Sequence, residues 1–505
     1  AEVARKRFSF EEIFLIQLDR MRERKLSETE PSFKIIKSKK CIAEFTNTFP
    51  FPLTNAQQRV IDSIIVDLNK GHPMSRLLEG DVGSGKTAVA AALSYAIVST
   101  PPPNRKFGTL QVAYMAPTEI LAEQHFESFI ECFGRFNLPI GLITGSGAKK
   151  FPSKIFSTSS RQATWTKISK PQLLKWVANG EIPILIGTHA LIEKKVVFKN
   201  LACIIIDEQH RFGVNQRQKL RKKHDVVPHL LSMTATPIPR TLALTLFGDL
   251  DLSLLDELPP GRKPVITEVV LPNGREAVYE KVRKELRAGR QAYVLCPRID
   301  EPDPDKELAI QAKSVKEEAK RLKEKIFPEF NIGVLHGKML PKEKEEIMKK
   351  FKDGKIEILV ATSVIEVGVN VPNATVIIIE GAERFGLAQL HQLRGRVIRS
   401  SHQSYCFVFT ESNSKKTLER LKALSTAKNG FELAEFDLQQ RGAGDLLGVK
   451  QWGVSDLAME ALKNMPLVEA ARLEAQLLIE KDFELKKHPE LAQRVLQKTQ
   501  RLHLE

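Results

Sequence analysis

Six short, largely apolar runs recur along the chain, most of them with several β-branched side chains: "QVAYMA" (111–116), "IPILIG" (182–187), "LACIIID" (201–207), "RQAYVLC" (290–296), "KIEILVA" (355–361) and "ATVIIIE" (374–380). Runs without polar alternation belong to strands covered on both faces, and helical segments lie between them. That alternation predicts parallel sheets flanked by helices, an α/β fold. A length of 505 residues favours two to four domains, and 42% hydrophobic residues suffice for their cores. "ELPPGRKPV" (257–265), dense in Pro and Gly, reads as a boundary near the middle. Two α/β domains, residues 46–262 and 263–412, are expected, followed by a mainly helical region, 413–505. Residues 1–45 read as a connector, in which Ser9 and Glu12 form a capping box for an amphipathic helix over 9–25.

The chain is basic, with 77 Lys and Arg against 61 Asp and Glu, a net charge of +16. Such a surface suits polyanions, of which nucleic acid is the commonest. Charge is concentrated between Cys132 and Gly180, where eight basic residues stand without an acidic one. "GSGAKKFPSKIFSTSSRQATWTK" (145–167) reads as a loop there, and a solvated insertion explains it as readily as a binding surface. Five scattered cysteines, Cys41, Cys132, Cys203, Cys296 and Cys406, lack paired spacing, which reads as a reduced intracellular protein without structural zinc. The longest apolar run, "AVAAALSYAIV" (88–98), is too short to span a bilayer, so no membrane partner is expected. "AEVARKRFSF" at the start is charged where a signal peptide would be apolar, and the missing initiator Met points to a fragment.

Chemistry is carried by four stretches. "GDVGSGKT" (80–87) follows the apolar "SRLLE" and precedes a helical segment. Gly80, Asp81, Val82, Gly83, Ser84 and Gly85 form a loop whose backbone N–H groups can turn toward phosphates. Lys86 adds a point charge, and Thr87 offers a hydroxyl to Mg²⁺. "CIIIDEQH" (203–210) delivers two carboxylates to the end of a buried strand: Asp207 for Mg²⁺ and Glu208 to orient and deprotonate water. An acidic pair ending a strand is otherwise a solvated turn. "MTATPIPR" (233–240) brings the Thr234 and Thr236 hydroxyls to a third strand end, suited to a relay between nucleotide and a second site, or to a plain turn. "AQLHQLRGRVIRSSHQSYC" (388–406) crowds Arg394, Arg396 and Arg399 into about a turn and a half. Like charges so close call for an anion, and a γ-phosphate reached across a domain cleft is the natural one.

Together "FPLTNAQ", "GDVGSGKT", "APTEILAEQH", "IGTHALIE", "DEQHRFG", "MTATPIPR", "VIEVGVNVP" and "QLRGRVIR" resemble the superfamily 2 helicases. Within them the chain is similar to the RecG branch-migration DNA helicases, from about residue 5 to its end. The resemblance implies two RecA-like motor domains with a helical N-terminal linker and a C-terminal helical hairpin. It implies an ATP- and Mg²⁺-dependent translocase on double-stranded and branched DNA, monomeric on DNA, in the bacterial cytoplasm. Stalled forks and Holliday junctions would be its substrates in recombination and repair, with single-stranded DNA-binding protein among its partners. Gln57 would read the adenine edge, Phe51 would pack on the ring, Gly368 would contact nucleotide, and Arg396 and Arg399 would complete the site. "GFELAEFDLQQRGAGDLLGVKQWG" (430–453) resembles the family's translocation motif, with Arg441 and Gln451 at its polar positions. Asn370, Ile398 and Ala443 depart from the RecG pattern, where Asp, Gly and Pro usually stand. The family's N-terminal wedge domain does not fit in residues 1–45, so the chain is expected to be a fragment or a motor without its own fork reader. Two alternatives stay open: a transcription-repair coupling translocase, and a degenerate DNA-binding module without ATPase activity.

Overall fold

A computed structural model describes residues 2–495 apart from 106, 154–164, 209–225, 247–249, 262, 298–313, 363–370, 399–401, 428 and 442–460. The chain divides into two compact units, one built from residues 1–80, 85–257 and 434–505, the other chiefly from residues 258–433.

Among the described residues, the first unit holds a nine-stranded sheet. Its strands are β1 (Ser75–Gly80), β2 (Gln111–Met115), β3 (Ile140–Ile143), β4 (Ala148–Phe151), β5 (Thr166–Ile168), β6 (Ile184–Gly187), β7 (Leu201–Ile206), β8 (His229–Thr234) and β9 (Asp251–Leu255). They run in the order β5-β4-β3-β6-β2-β7-β8-β1-β9. Pairing is parallel except at one edge, where β4 lies antiparallel to both β3 and β5. The second unit holds a six-stranded parallel sheet of β10 (Ile266–Val270), β11 (Gln291–Leu295), β12 (Ile332–Leu335), β13 (Ile358–Ala361), β14 (Ala374–Ile379) and β15 (Tyr405–Phe409). Its order is β10-β15-β14-β11-β13-β12. All six apolar runs are strands, and each is buried on both faces because helices cover both sides.

The cores follow from that layering. In the first unit Leu173 and Val177 of the Lys170–Asn179 helix pack on Ala113, Met115, Ile204 and Ile206 of the sheet. In the second, Val278, Val282 and Leu286 of the Arg275–Arg287 helix cover Val294, Ile358, Val376 and Phe407. A buried glutamine opens the central strand of each unit. Gln111 donates from Nε2 to the Val177 and Ile182 carbonyls at 2.9 Å each and accepts at Oε1 from the Lys199 and Asn200 N–H groups. Gln291 donates to the Phe351 and Ile356 carbonyls at 2.6 and 2.7 Å. In both strands the pairing register shifts directly after the glutamine. An unpaired buried amide would be costly, so each fixes the chain segments around it.

Two expectations need correction. The first helix spans Glu2–Glu28 rather than 9–25, and Ser9 sits inside it, buried, instead of capping it. Tertiary packing overrides the local capping signal: Ile13, Ile16, Leu18 and Met21 form an apolar stripe, and the helix lies against the Met465–Lys481 helix with its buried Val468, Ala471, Ala475 and Ile479. The Ser/Lys-rich segment 145–167 is not all loop either, since β4 and the start of β5 fall within it. No described helix is long and apolar enough to cross a membrane, and the five cysteines are free thiols.

Ile13 is fully buried among Leu242, Leu438 and Val468. Ile13→Ala should lower the stability of the first unit by about 2–4 kcal/mol, read as a lower urea midpoint with an unchanged slope. A second prediction concerns Glu380, which follows β14 with Arg275 Nη2 at 3.2 Å. Burial pushes its carboxyl up to about 7, against the pull of Arg275. A carboxyl that holds its proton more tightly folded than unfolded destabilises the fold as pH rises from the ordinary value of about 4.3 toward 7. Melting temperatures of Glu380→Gln should therefore fall less between pH 5 and 7.5 than those of the unsubstituted chain.

Candidate functional site

The parallel pairing of β7, β8 and β1 aligns three strand ends. Ile206 lies opposite Ser232 on β8, and Thr234 at the end of β8 lies opposite Glu79. The phosphate-loop sequence, Asp207–Glu208 and "TATPIPR" therefore leave the sheet side by side, at the carboxyl edge where open α/β sheets bind ligands.

The loop itself needs glycine. Gly83 and Gly85 have φ of +84° and +85°, in the left-handed region, and a Cβ on Gly85 would lie 2.1 Å from Gln57 Nε2. Lys86 opens the Lys86–Val98 helix, whose first N–H groups form a natural anion seat, and its Nζ donates to the Gly80 carbonyl at 2.7 Å. Thr87 follows, half-buried. Gln57 is buried; its Oε1 accepts from Thr54 N at 2.9 Å while its own N–H donates to Thr54 Oγ1 at 3.1 Å. This reciprocal cap starts the Asn55–Leu68 helix and presses the amide against Gly85. Phe51 is 42% exposed, its ring centroid 5.7 Å from that of Phe49.

Asp207 is buried at the exit of β7, its N–H donating to the Met115 carbonyl at 2.9 Å. Its Oδ2 accepts from His125 Nε2 at 2.8 Å, and the Tyr114 hydroxyl lies 3.2 Å from the Nδ1 of that imidazole. Burial alone would raise this carboxyl, but the hydrogen bond from His125, with the Lys86 charge, outweighs burial and holds it below the usual carboxylate range. Glu208 is half-buried and adopts φ +53°, a strained conformation for a residue with a Cβ. Its Oε2 accepts from Ala235 N at 3.3 Å. Glu79 Oε1 accepts from Ile238 N at 2.7 Å, and Thr234 Oγ1 from Thr236 N at 3.1 Å. The third stretch is thus stitched to the first two by backbone donors. Ile238 also packs in the cluster of Ile13, Leu242, Leu438 and Leu462, which joins this corner to the C-terminal helices.

In the second unit Arg394 and Arg396 are buried. Arg394 ends the Leu387–Arg394 helix and is spent internally, donating to the Leu424 carbonyl and to His391 Nδ1. It binds its own unit together, and the expected site roles fall on Arg396 and Arg399 alone. Arg396 lies in the Gly395–Val397 turn. Gly368, Arg399 and Gln451 lie outside the described residues, as does the side chain of Arg441, the last residue of the Gly430–Arg441 helix.

Sequence reasoning missed His125, Tyr114 and Glu79. One signal was present: in the Glu119–Phe133 helix, Leu121, Ala122, His125, Phe126 and Phe129 share the buried face, so the histidine stands alone on an apolar stripe beside a strand end. Gly85→Ala should weaken binding of a fluorescent ATP analogue at least about tenfold, since left-handed strain of about 1–2 kcal/mol adds to the collision with Gln57. Gly71→Ala, at φ +83° with nothing within 4 Å of its Cβ position, is the control that carries strain alone and should bind normally.

Three family models match the chain: DEAD/DEAH box helicase over residues 54–245, helicase conserved C-terminal domain over 276–401, and ATP-dependent DNA helicase RecG, domain 3, C-terminal, over 427–503. The ATP-dependent DNA helicase RecG of Synechocystis sp. is 45% identical over 99% of this chain and 57% of its own length. That of Bacillus subtilis is 43% identical over 97% of this chain and 67% of its own length. The chain thus spans between about half and two thirds of these relatives. Among solved structures, RecG bound to a three-way DNA junction superposes with a TM-score of 0.72 at 39% identity, covering 93% of this chain and 57% of the other. The DUF1998 helicase MrfA bound to DNA, at 18% identity and a TM-score of 0.54 over 80% of this chain and 55% of its own, shares the fold.

Proposed function

The chain belongs to the RecG family of ATP-dependent DNA helicases, and on that premise we propose that it is an ATP-driven translocase and helicase on double-stranded and branched DNA. Its substrates are stalled forks and Holliday junctions, and its setting is recombination and repair in the bacterial cytoplasm. It acts as a monomer on DNA, with single-stranded DNA-binding protein among its partners. One observation carries the reading: Lys86, Asp207, Glu208 and Thr234 converge at the ends of three adjacent parallel strands. The same convergence disfavours a module that has lost its ATPase activity.

Each residue has a task. The loop 80–85 and the helix start at Lys86 receive the phosphates, and Lys86 adds a charge to them. Thr87 and Asp207 supply a hydroxyl and a buried carboxylate kept anionic, an oxygen donor set that suits Mg²⁺. When bound, the ion neutralises charge on the phosphates. Glu208, oriented through Ala235 N, takes the proton of the attacking water. Phe51 and Gln57 flank the nucleotide base, Gly368 contacts nucleotide, and Arg396 and Arg399 oppose the charge on the transferred phosphoryl group. Thr234 and Thr236 begin the path toward movement, which Arg441 and Gln451 complete. Support for that path comes from Ile238, held by Glu79 on one side and packed toward Leu438 and Leu462 on the other.

Duplex DNA should raise ATP turnover markedly. Lys86→Ala and Glu208→Gln should abolish it, and Glu208→Gln should still bind nucleotide. Normal turnover in Glu208→Gln overturns the assigned base. Affinity for two unrelated duplexes should fall steeply and equally with salt, and a flat response would remove phosphate contact as its source. Arg441→Ala should keep turnover and melting temperature while losing displacement of a triplex-forming strand. Parallel loss of all three would make the segment merely structural.

A further inference from the structure

The hydrogen bond that His125 gives Asp207 has no part in the roles assigned above. Asp207 could be oriented by its own strand alone, through the bond from its N–H to Met115. Instead an imidazole reaches its carboxylate from a helix whose buried face is otherwise apolar: Leu121, Ala122, Phe126, Phe129 and Phe133. A phenyl or isobutyl group would fill that place without any polar demand. The Tyr114 hydroxyl lies 3.2 Å from Nδ1 and 3.3 Å from Nε2 of the same ring. Because the hydrogen on Nε2 goes to Asp207 at the shorter 2.8 Å, the hydroxyl donates to Nδ1 and selects the tautomer that carries its proton on Nε2. A directed chain results: Tyr114 O–H to His125 Nδ1, and His125 Nε2–H to Asp207 Oδ2. All three side chains are buried, and Tyr114 pairs through β2 with β7, the strand that delivers Asp207.

We propose that His125, set by Tyr114, is a positioning residue that holds the Asp207 carboxylate by one oxygen and so presents the other to a nucleotide-bound divalent cation. The inference rests on the reading of Asp207 as the residue that serves Mg²⁺. A carboxylate already fixed in its rotamer need not be ordered when the cation arrives, and removing such an outer partner typically costs about 10–100-fold in metal affinity. His125 acts through Asp207.

The test uses the full chain with four substitutions: His125→Phe, His125→Gln, Tyr114→Phe and Asp207→Ala. Phenylalanine keeps the packing without an N–H, and glutamine restores a donor at a similar reach. Binding of a fluorescent ATP analogue is measured in EDTA and then against rising Mg²⁺. Binding of Mn²⁺ by the nucleotide complex is followed by electron paramagnetic resonance, with melting temperature alongside. Expected for His125→Phe are near-normal binding in EDTA, a melting temperature lowered by the loss of a donor to a buried carboxylate, and a cation requirement raised about 10–100-fold. His125→Gln should recover most of that shift, and Tyr114→Phe should show a smaller shift in the same direction. If phenylalanine and glutamine at 125 give the same cation dependence while Asp207→Ala alters it, the positioning role is overturned and the metal reading stands. If Asp207→Ala leaves cation dependence unchanged, the metal reading fails and this inference falls with it.

Discussion

The five-residue parallel ladder from Ser75 opposite Leu230 to Glu79 opposite Thr234 is the constraint on which the rest depends. Side chains alternate along a strand, so a slip of one residue would turn Glu79 away from Ile238 and carry the phosphate loop off its neighbours. Because β7 is tied to β8 in matching register, the Asp207 and Glu208 carboxylates arrive at the same edge without long loops to place them. The geometry of the site is therefore inherited from main-chain hydrogen bonds, and side-chain contacts only refine it.

Bringing that many acids together would be unfavourable without donors. Glu79 takes the Ile238 amide, Glu208 takes the Ala235 amide, and Asp207 takes His125. Two of the three donors belong to the segment after β8, so that segment answers to the position of the carboxylates beside it. Strain at Glu208, with its left-handed backbone, is held in place by the same network.

How much was legible in the sequence varies with the range of the interaction. The strands could be read because a parallel sheet covered on both faces leaves an unbroken apolar run, as in "LACIII". The glycine-rich loop at 80–85 could be read because positive φ at Gly83 and Gly85 requires glycine at fixed spacing. The first helix was misplaced because Ser9 and Glu12 satisfy a local rule that packing against the distant Met465–Lys481 helix overrules. The internal role of Arg394 was not legible for a similar reason: its partner, the Leu424 carbonyl, lies on another helix and leaves no mark in the sequence around it. The pairing of His125 with Asp207 spans 82 residues and was invisible for the same cause.

The glutamines that open β2 and β11 lie at the opposite ends of those strands from the chemistry. Gln111 gathers the ends of three chain segments onto β2, and Gln291 ties β11 to the turn leading into β13. In mechanical terms each is a rivet at the foot of a cantilever. A force applied at the carboxyl edge of the sheet is met at the amino edge by bonds shared among neighbouring strands, so no single strand bears the load alone. A sheet anchored this way resists shear along its strands.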